Sequence, residues 1–318
     1  MIPEALIQLI RESSSFIVAS HIHPEGDAIG STLALGLGLQ KIEKQVYFYN
    51  KDSVPESLRF LPFSELIKPE MPTDSFETLL IVDCGSIKRI GTDNAPCKNI
   101  AIIDHHLPEP SDVEAVKWIV TESASAGELI FKLLKHLDIE IDSAIAENLY
   151  TSIFTDTGSL RYSNTTPETL RIIAELMETG INAWKINRMI YENIPLRRIK
   201  LLEASLYTLE IDGPIGWITV TKEMFKATGS TAEDTEELSN IPRQIKGIEV
   251  SIFFRQKDDN TFKVSLRSKD SVNVAAIAKQ FGGGGHFHAS GCTVKGSLKD
   301  VQYRLITAVK NALTESIN

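Results

Sequence analysis

Three short apolar runs in the first third of the chain end in acids or histidines. SFIVAS (15–20) runs into HIHPEGD (21–27), LLIVDCG (79–85) carries Asp83, and NIAIIDHH (99–106) closes on Asp104, His105 and His106. With VYFYN (46–50), these β-branched and apolar stretches alternate with helical patterns or polar turns, which is the texture of a parallel α/β sheet. Open sheets of that class bind ligands just beyond the carboxyl ends of their strands. An acid or histidine at each strand end therefore constrains fold and function together.

The remaining segments extend this pattern. AIGSTLALGLGLQKI (28–42) predicts a helix despite Gly30, Gly36 and Gly38, whose small size would let it pack closely on the sheet. From about Ser125 to Leu209 the pattern is mostly helical, with breaks at 138–142, 156–168 and 179–182. After Asp212, GPIGWITV (213–220), VSIFFRQ (250–256) and FKVSLRS (262–268) predict strands. A helix over 272–281, a glycine loop at 282–291 and a long amphipathic helix after Ser297 follow. The expected division is a first domain over 1–190, a connecting helix over 191–210 and a smaller second domain over 211–318. The N-terminal MIPEALIQLIRESSSF carries Glu4 and predicts a short amphipathic helix, not a signal peptide. Cys84, Cys97 and Cys292 are unclustered, and no apolar run nears the roughly 20 residues that span a bilayer. A cytoplasmic location is the expectation.

Six of the seven histidines fall in three short segments: His21 and His23, His105 and His106, His286 and His288. A lone histidine is usually a packing or solvated residue, and His136 is read that way. Three clusters at strand ends and in a glycine loop call for chemistry. Acids gathered at one sheet edge repel one another unless cations neutralise them. Histidines and carboxylates without thiolates suit Mn²⁺, Co²⁺, Fe²⁺ or Zn²⁺ in an open site. Asp156 taken alone, at the end of NLYTSIFTD, reads better as a cap of the turn that follows.

The ordered set His21-x-x-x-Glu25-x-Asp27, Asp83, Asp104-His105-His106 and Asp156, followed by GGGGHFHASG (282–291), resembles the DHH phosphoesterase superfamily. Within it, the chain looks like the stand-alone two-domain type that cleaves very short RNA and dephosphorylates 3′-phosphoadenosine 5′-phosphate (pAp). The resemblance implies an α/β fold: a parallel-sheet DHH domain with a smaller α/β DHH-associated domain across a cleft. It also implies two divalent cations, with Mn²⁺ the leading candidate. One would be held by His21, Glu25 and Asp83, the other by Asp27, Asp83, His105 and Asp156. Cations about 4 Å apart clamp the attacking and leaving oxygens of an in-line displacement. His106 would face the scissile phosphate, and Asp104 would orient a histidine. Arg267, Gly283, Gly284, Gly285 and His286 would bind substrate. The chain departs from the family at Glu25, where aspartate is usual, which places the question on the first metal.

Net charge narrows the partners. The chain carries −9, yet residues 241–269 hold seven cationic groups against three anionic ones, so a segment of +4 sits in a remainder of −13. That balance disfavours an extended grip on long duplexes and favours a local pocket for short polyanions. The expected partners are short single-stranded RNA or DNA, pAp or dinucleotides, with no membrane and with a homodimer left open. The rival readings are a cyclic or linear dinucleotide phosphodiesterase, an inorganic pyrophosphatase, which lacks the GGGGH pattern, and a nucleotide-binding protein without turnover.

Overall fold

The computed structural model describes residues 1–108, 113–235 and 237–317. It divides into two compact units, Met1–Asn193 and Ile194–Asn318. No helix among the described residues is long and apolar enough to cross a membrane.

The first unit runs α1 (Glu4–Glu12), β1 (Ser15–Ala19), α2 (Gly26–Lys41), β2 (Gln45–Tyr49), β3 (Phe76–Val82), β4 (Cys97–Asp104), β5 (Val116–Ile119), α3 (Ala126–His136), α4 (Ser143–Asp156), α5 (Pro167–Glu178) and α6 (Ala183–Tyr191). Its five strands form a wholly parallel sheet in the order β2-β1-β3-β4-β5. Both faces of the sheet are buried, which explains why its strands read as continuous apolar runs. Phe16, Val18, Leu80, Val82 and Ile103 join a core with α1 to α4, while Ile17, Ala19, Leu79, Ile81 and Ile102 pack into a second core on the other face. Leu6, Ile7 and Ile10 form the buried stripe of α1, as its amphipathic pattern predicts. β5 gave no clear signal in the sequence, being four residues long and carrying Lys117 in the middle of a mostly half-buried run.

The glycines of α2 correct one expectation. A Cβ on Gly30 would strike the Asn148 backbone carbonyl of α4, and one on Gly38 would strike Leu134 of α3; only Gly36 meets a sheet residue, Phe48. The small residues therefore bring helix against helix more than helix against sheet. This close approach aligns α2, which begins next to the HIHPEGD turn, with α4, which ends at Asp156.

The second unit comprises α7 (Leu196–Leu206), β6 (Glu210–Asp212), β7 (Ile215–Val220), α8 (Lys222–Thr228), β8 (Val250–Asp258), β9 (Thr261–Ser268), α9 (Val274–Gln280), β10 (Gly284–His286), β11 (Ala289–Lys295) and α10 (Leu298–Ile317). Its sheet has the order β10-β11-β9-β8-β7-β6, parallel only between β7 and β8. Ile252, Phe254, Val264 and Leu266 meet Val274 and Ile277 of α9 and Val301, Leu305 and Val309 of α10 in one core. The segment expected as a glycine loop is instead a hairpin: Gly284, Gly285 and His286 pair with Gly291, Ser290 and Ala289. A Cβ at Gly283 would run into the Gly291 carbonyl, and one at Gly285 into Ala289 and Ser290, so β11 itself requires bare backbone at these two positions. At Gly284 a Cβ would meet open space.

Candidate active site

β1, β3 and β4 are neighbours in the first unit's sheet, and the chain leaves each of them at the same edge. His21 follows β1, Asp83 follows β3, and His105 and His106 follow β4. Asp83 turns the chain with φ of 57°, a left-handed conformation that aspartate tolerates better than most residues, while its N–H donates to the Ile103 carbonyl at 3.0 Å. Two helices supply the rest: Asp27 from the first turn of α2 and Asp156 as the last residue of α4.

Three overlapping groups result, each with donor atoms within 4.8 Å of one another: His21, Glu25 and Asp83; Asp27, His105 and Asp156; and Asp83, His105 and His106. His21 Nε2 lies 3.1 Å from Glu25 Oε1 and 3.4 Å from Asp83 Oδ2. His105 Nε2 lies 3.3 Å from Asp83 Oδ1, 3.4 Å from Asp27 Oδ2 and 3.7 Å from Asp156 Oδ2. Asp83 is 1% exposed, and neither of its carboxylate oxygens has a well-formed hydrogen bond. Such an orphaned buried carboxylate is costly, and a cation between it and the facing nitrogens removes the cost.

The surrounding bonds present ring nitrogens for that purpose. His21 Nδ1 faces the Ile22 carbonyl at 2.8 Å and His105 Nδ1 faces the Ser123 carbonyl at 3.3 Å. With Nδ1 protonated and donating, each Nε2 points its lone pair at the carboxylates, the tautomer a metal ligand needs. His106 is held differently. Its Nδ1 donates to Asp104 Oδ1 at 2.7 Å, and the same oxygen accepts the backbone N–H groups of His105 (2.8 Å) and His106 (3.2 Å). Asp27 is also fixed: it accepts the N–H groups of Ala126 (2.8 Å) and Gly127 (3.1 Å), the first residues of α3, and the Ser152 hydroxyl of α4.

Protonation reports the same crowding. Burial opposes a charged ring at His21, yet Asp83 and Glu25 outweigh it and drive its pKa up to about 11. For His105 burial is likewise overcome, by Asp83 and then Asp27, and the pKa rises to about 10. Burial raises Asp156 to about 7 against the pull of His105, with Asp83 adding to the rise. Asp27 is raised by burial and then by Asp83. Burial would raise Asp83 too, but His105 and His21 hold it below the ordinary carboxylate range. In metal-free protein, protons take the place of the missing positive charge. The donor set fits divalent cations: buried carboxylates, imidazoles in the ligand tautomer and no thiolate.

The structure brings together all six residues expected at the metals, with His106 and Asp104 beside them. His23 stands apart: it is exposed, has φ of 57°, and pairs with Asp52 through its backbone N–H (2.7 Å) and Nδ1 (3.3 Å). In the second unit, register aligns Arg267 of β9 with Ala289 of β11, which in turn aligns with His286 of β10. Sequence reasoning missed Ser152 and the Ser123–Glu128 group, in which Glu128 Oε2 accepts from Ser123 Oγ (3.0 Å) and Ala124 N (3.1 Å). A signal for the latter was present. Ser125-Ala-Gly-Glu128 matches the capping-box pattern, and Ser125 caps α3. Ser152 gave none, lying inside a helix.

Comparison with known proteins covers both units. Residues 15–153 match the N-terminal domain of the DHH family, and residues 220–315 match the DHHA1 domain. The chain is similar to the bifunctional oligoribonuclease and PAP phosphatase NrnA of Thermus thermophilus, 33% identical over 94% of this chain and 90% of that protein. It is also similar to the protein of the same name from Bacillus subtilis, 26% identical over 91% of this chain and 92% of that one. Among solved structures, an exopolyphosphatase-related protein from Bacteroides fragilis superposes with a TM-score of 0.89 at 28% identity, covering 99% of this chain and 97% of its own.

Proposed function

The chain belongs to the DHH family, and on that premise we propose that it is a phosphoesterase that uses divalent cations to hydrolyse short oligoribonucleotides and pAp. The observation that carries the proposal is Asp83, a buried carboxylate with two orphaned oxygens, facing imidazole nitrogens on either side. His21, Glu25 and Asp83 would hold one cation and Asp27, Asp83, His105 and Asp156 the other, with Mn²⁺ the proposed ion. When bound, two such ions lower the pKa of a water and offset charge on the attacking and leaving oxygens of a phosphoryl group.

The chain's own residues do the positioning. Asp104 fixes the His106 ring through Nδ1, so Nε2 is the nitrogen that addresses the scissile phosphate. Burial opposes protonation of His106, but Asp104 and Asp83 raise its pKa above the ordinary histidine value, which favours a cationic ring opposite an anionic substrate. Carbonyls of Ile22 and Ser123 hold His21 and His105 in the required tautomer, and the amides of α3 with Ser152 hold Asp27. Arg267, Gly284 and His286, with Gly283 and Gly285 shaping the hairpin, are the proposed substrate contacts of the second unit.

The names of the relatives favour this reading over the dinucleotide phosphodiesterase alternative. The test is turnover by purified protein with Mn²⁺, Co²⁺, Mg²⁺ or Zn²⁺ on pAp, di- to pentaribonucleotides, cyclic dinucleotides and a 24-mer RNA. Asp83→Ala serves as the inactive control. Rapid release of phosphate from pAp and of mononucleotides from the short RNAs is expected. Turnover restricted to cyclic dinucleotides, or equal rates on 3-mer and 24-mer, would overturn the assignment.

A further inference from the structure

The sheet of the second unit carries its charge in rows. Lys263, Ser265 and Arg267 alternate on one face of β9, while Phe262, Val264 and Leu266 are buried on the other. Register places Arg255 of β8 directly opposite Lys263, and Ala289 and then His286 in line with Arg267. Between these two rows, Ser265 lies opposite Gly291 of β11. Along β9 and β11 the face thus has a basic row at each end and small residues between, with the rows four residues apart, about 13 Å at ~3.3 Å per residue, while on β8 Phe253 lies opposite Ser265 and is buried against Leu201 and Leu238.

The positive charge of the Arg255–Lys263 row has no counterpart among the described residues. Like charges directly opposite destabilise an antiparallel pair. Among the described residues neither has a carboxylate partner: the Arg255 guanidinium donates to the Ala232 carbonyl (3.1 Å) and the Thr235 hydroxyl (3.4 Å), and nearby Asp259 is taken by Lys222 at 2.7 Å. Partial burial, and then the positive charges of Arg255 and Lys257, hold the Lys263 ammonium below the ordinary lysine value. Among the described residues no carboxylate compensates these two cations.

We infer that Arg255 and Lys263 form a second phosphate-binding subsite, which takes a backbone phosphate of an oligonucleotide whose neighbouring phosphates lie along the row of Arg267 and His286. The inference rests on the proposed function and adds a length dependence to it. A span of about 13 Å corresponds to about four nucleotides of a stacked strand at ~3.4 Å each, and to fewer in a stretched one. A pentamer engages both rows; pAp is too short. Ser265 and Gly291 leave the intervening backbone low enough for the strand to lie across it.

The test uses full-length protein in EDTA, so that nothing turns over, and a 5′-fluorescein pentaribonucleotide followed by anisotropy, with unlabelled pAp as competitor. Lys263→Glu is expected to weaken pentamer binding about tenfold, and to flatten the plot of log affinity against log salt by about 0.7, the contribution of one phosphate on a single strand. The pAp competition constant is expected to stay within about twofold. Lys263→Glu is expected to melt at or above the wild-type temperature, because it replaces repulsion of Arg255 by attraction, which excludes misfolding as the cause. A pentamer affinity and salt slope equal to wild type would overturn the subsite and give the pair to an acidic polypeptide partner. An equal loss for pAp would overturn it as well, since the pair would then act on the Arg267 row. If the Mn²⁺-loaded wild type turns over neither pAp nor the short RNAs, the proposed function falls with the subsite; if the wild type binds the pentamer and Lys263→Glu binds it equally, only the subsite falls.

Discussion

Asp104→Asn isolates the charge behind His106. In the wild type one carboxylate oxygen collects three donors, His106 Nδ1 at 2.7 Å and two backbone amides at 2.8 and 3.2 Å. Asparagine retains an oxygen at that position and can keep all three bonds, so the turn after β4 stays intact and the melting temperature should move little. What disappears is the negative charge. A hydrogen bond to a charged group contributes about 1.5–3 kcal/mol and a neutral one about 0.5–1.5 kcal/mol, so the loss at His106 is about 1–1.5 kcal/mol. At ~1.36 kcal/mol per decade, kcat should fall about five- to twelvefold with KM nearly constant. Among the groups that raise the His106 pKa, Asp104 comes first. Without its charge the ring loses its proton at lower pH, and the alkaline limb of the kcat profile should move toward acid. The assay is pAp hydrolysis from pH 6 to 10 at saturating Mn²⁺. A kcat within twofold of wild type and an unmoved alkaline limb would refute the role given to His106, as would full rescue by added Mn²⁺.

Three further outcomes are expected. Glu25→Ala should raise the Mn²⁺ concentration for half-maximal rate by at least about tenfold and Glu25→Asp should raise it less, because Glu25 Oε1 lies 3.1 Å from His21 Nε2 while His23 is engaged with Asp52; an unchanged requirement in Glu25→Ala removes Glu25 from the ligand set. Chelated protein should lose stability as pH rises, because the folded chain holds protons that the unfolded chain has already released: at Asp156 between its ordinary 3.8 and about 7, and at His105 and His21 from 6.5 to about 10 and 11. Saturating Mn²⁺ should therefore raise the melting temperature more at pH 8 than at pH 6, and a constant increment in calorimetry would contradict the linkage. Gly30→Ala should cost about 1–3 kcal/mol by overpacking, since its methyl meets the Asn148 carbonyl rather than a yielding side chain; that is a melting temperature lower by about 3–10 °C, and an unchanged value would show that α2 and α4 can separate freely.

The parts legible in the sequence share a physical cause. Strands buried on both faces are apolar at every position, so β1, β3 and β4 announced themselves, and a polar residue at the end of each run had to mark the edge. His21, Asp83, His105 and His106 were readable for that reason. β5 and β6 were not, because one is short and half-buried and the other is three exposed residues. Gly283 and Gly285 misled because glycine signals permissive backbone without saying whether a turn or a close neighbour requires it; here the β11 backbone does. Ser152 was invisible because its partner, Asp27, is 125 residues away in the chain, and helical periodicity records which residues are buried, not what they touch. The fate of His23 was unreadable for a similar reason, resting on the distant Asp52.

The bonding of Asp27 has an evolutionary consequence. This carboxylate closes the start of α3 and ties it to Ser152 of α4, so three helices meet on a group that also faces His105. Asp83 ties no helix: neither of its oxygens has a well-formed hydrogen bond, and its charge is balanced by His21 and His105. A lineage that abandons catalysis on this scaffold can thus discard Asp83 or Glu25 without unpinning a helix, while Asp27 stays under selection for folding alone. A retained aspartate at position 27 is weak testimony of an active enzyme, and the residue at position 83 is the one to read.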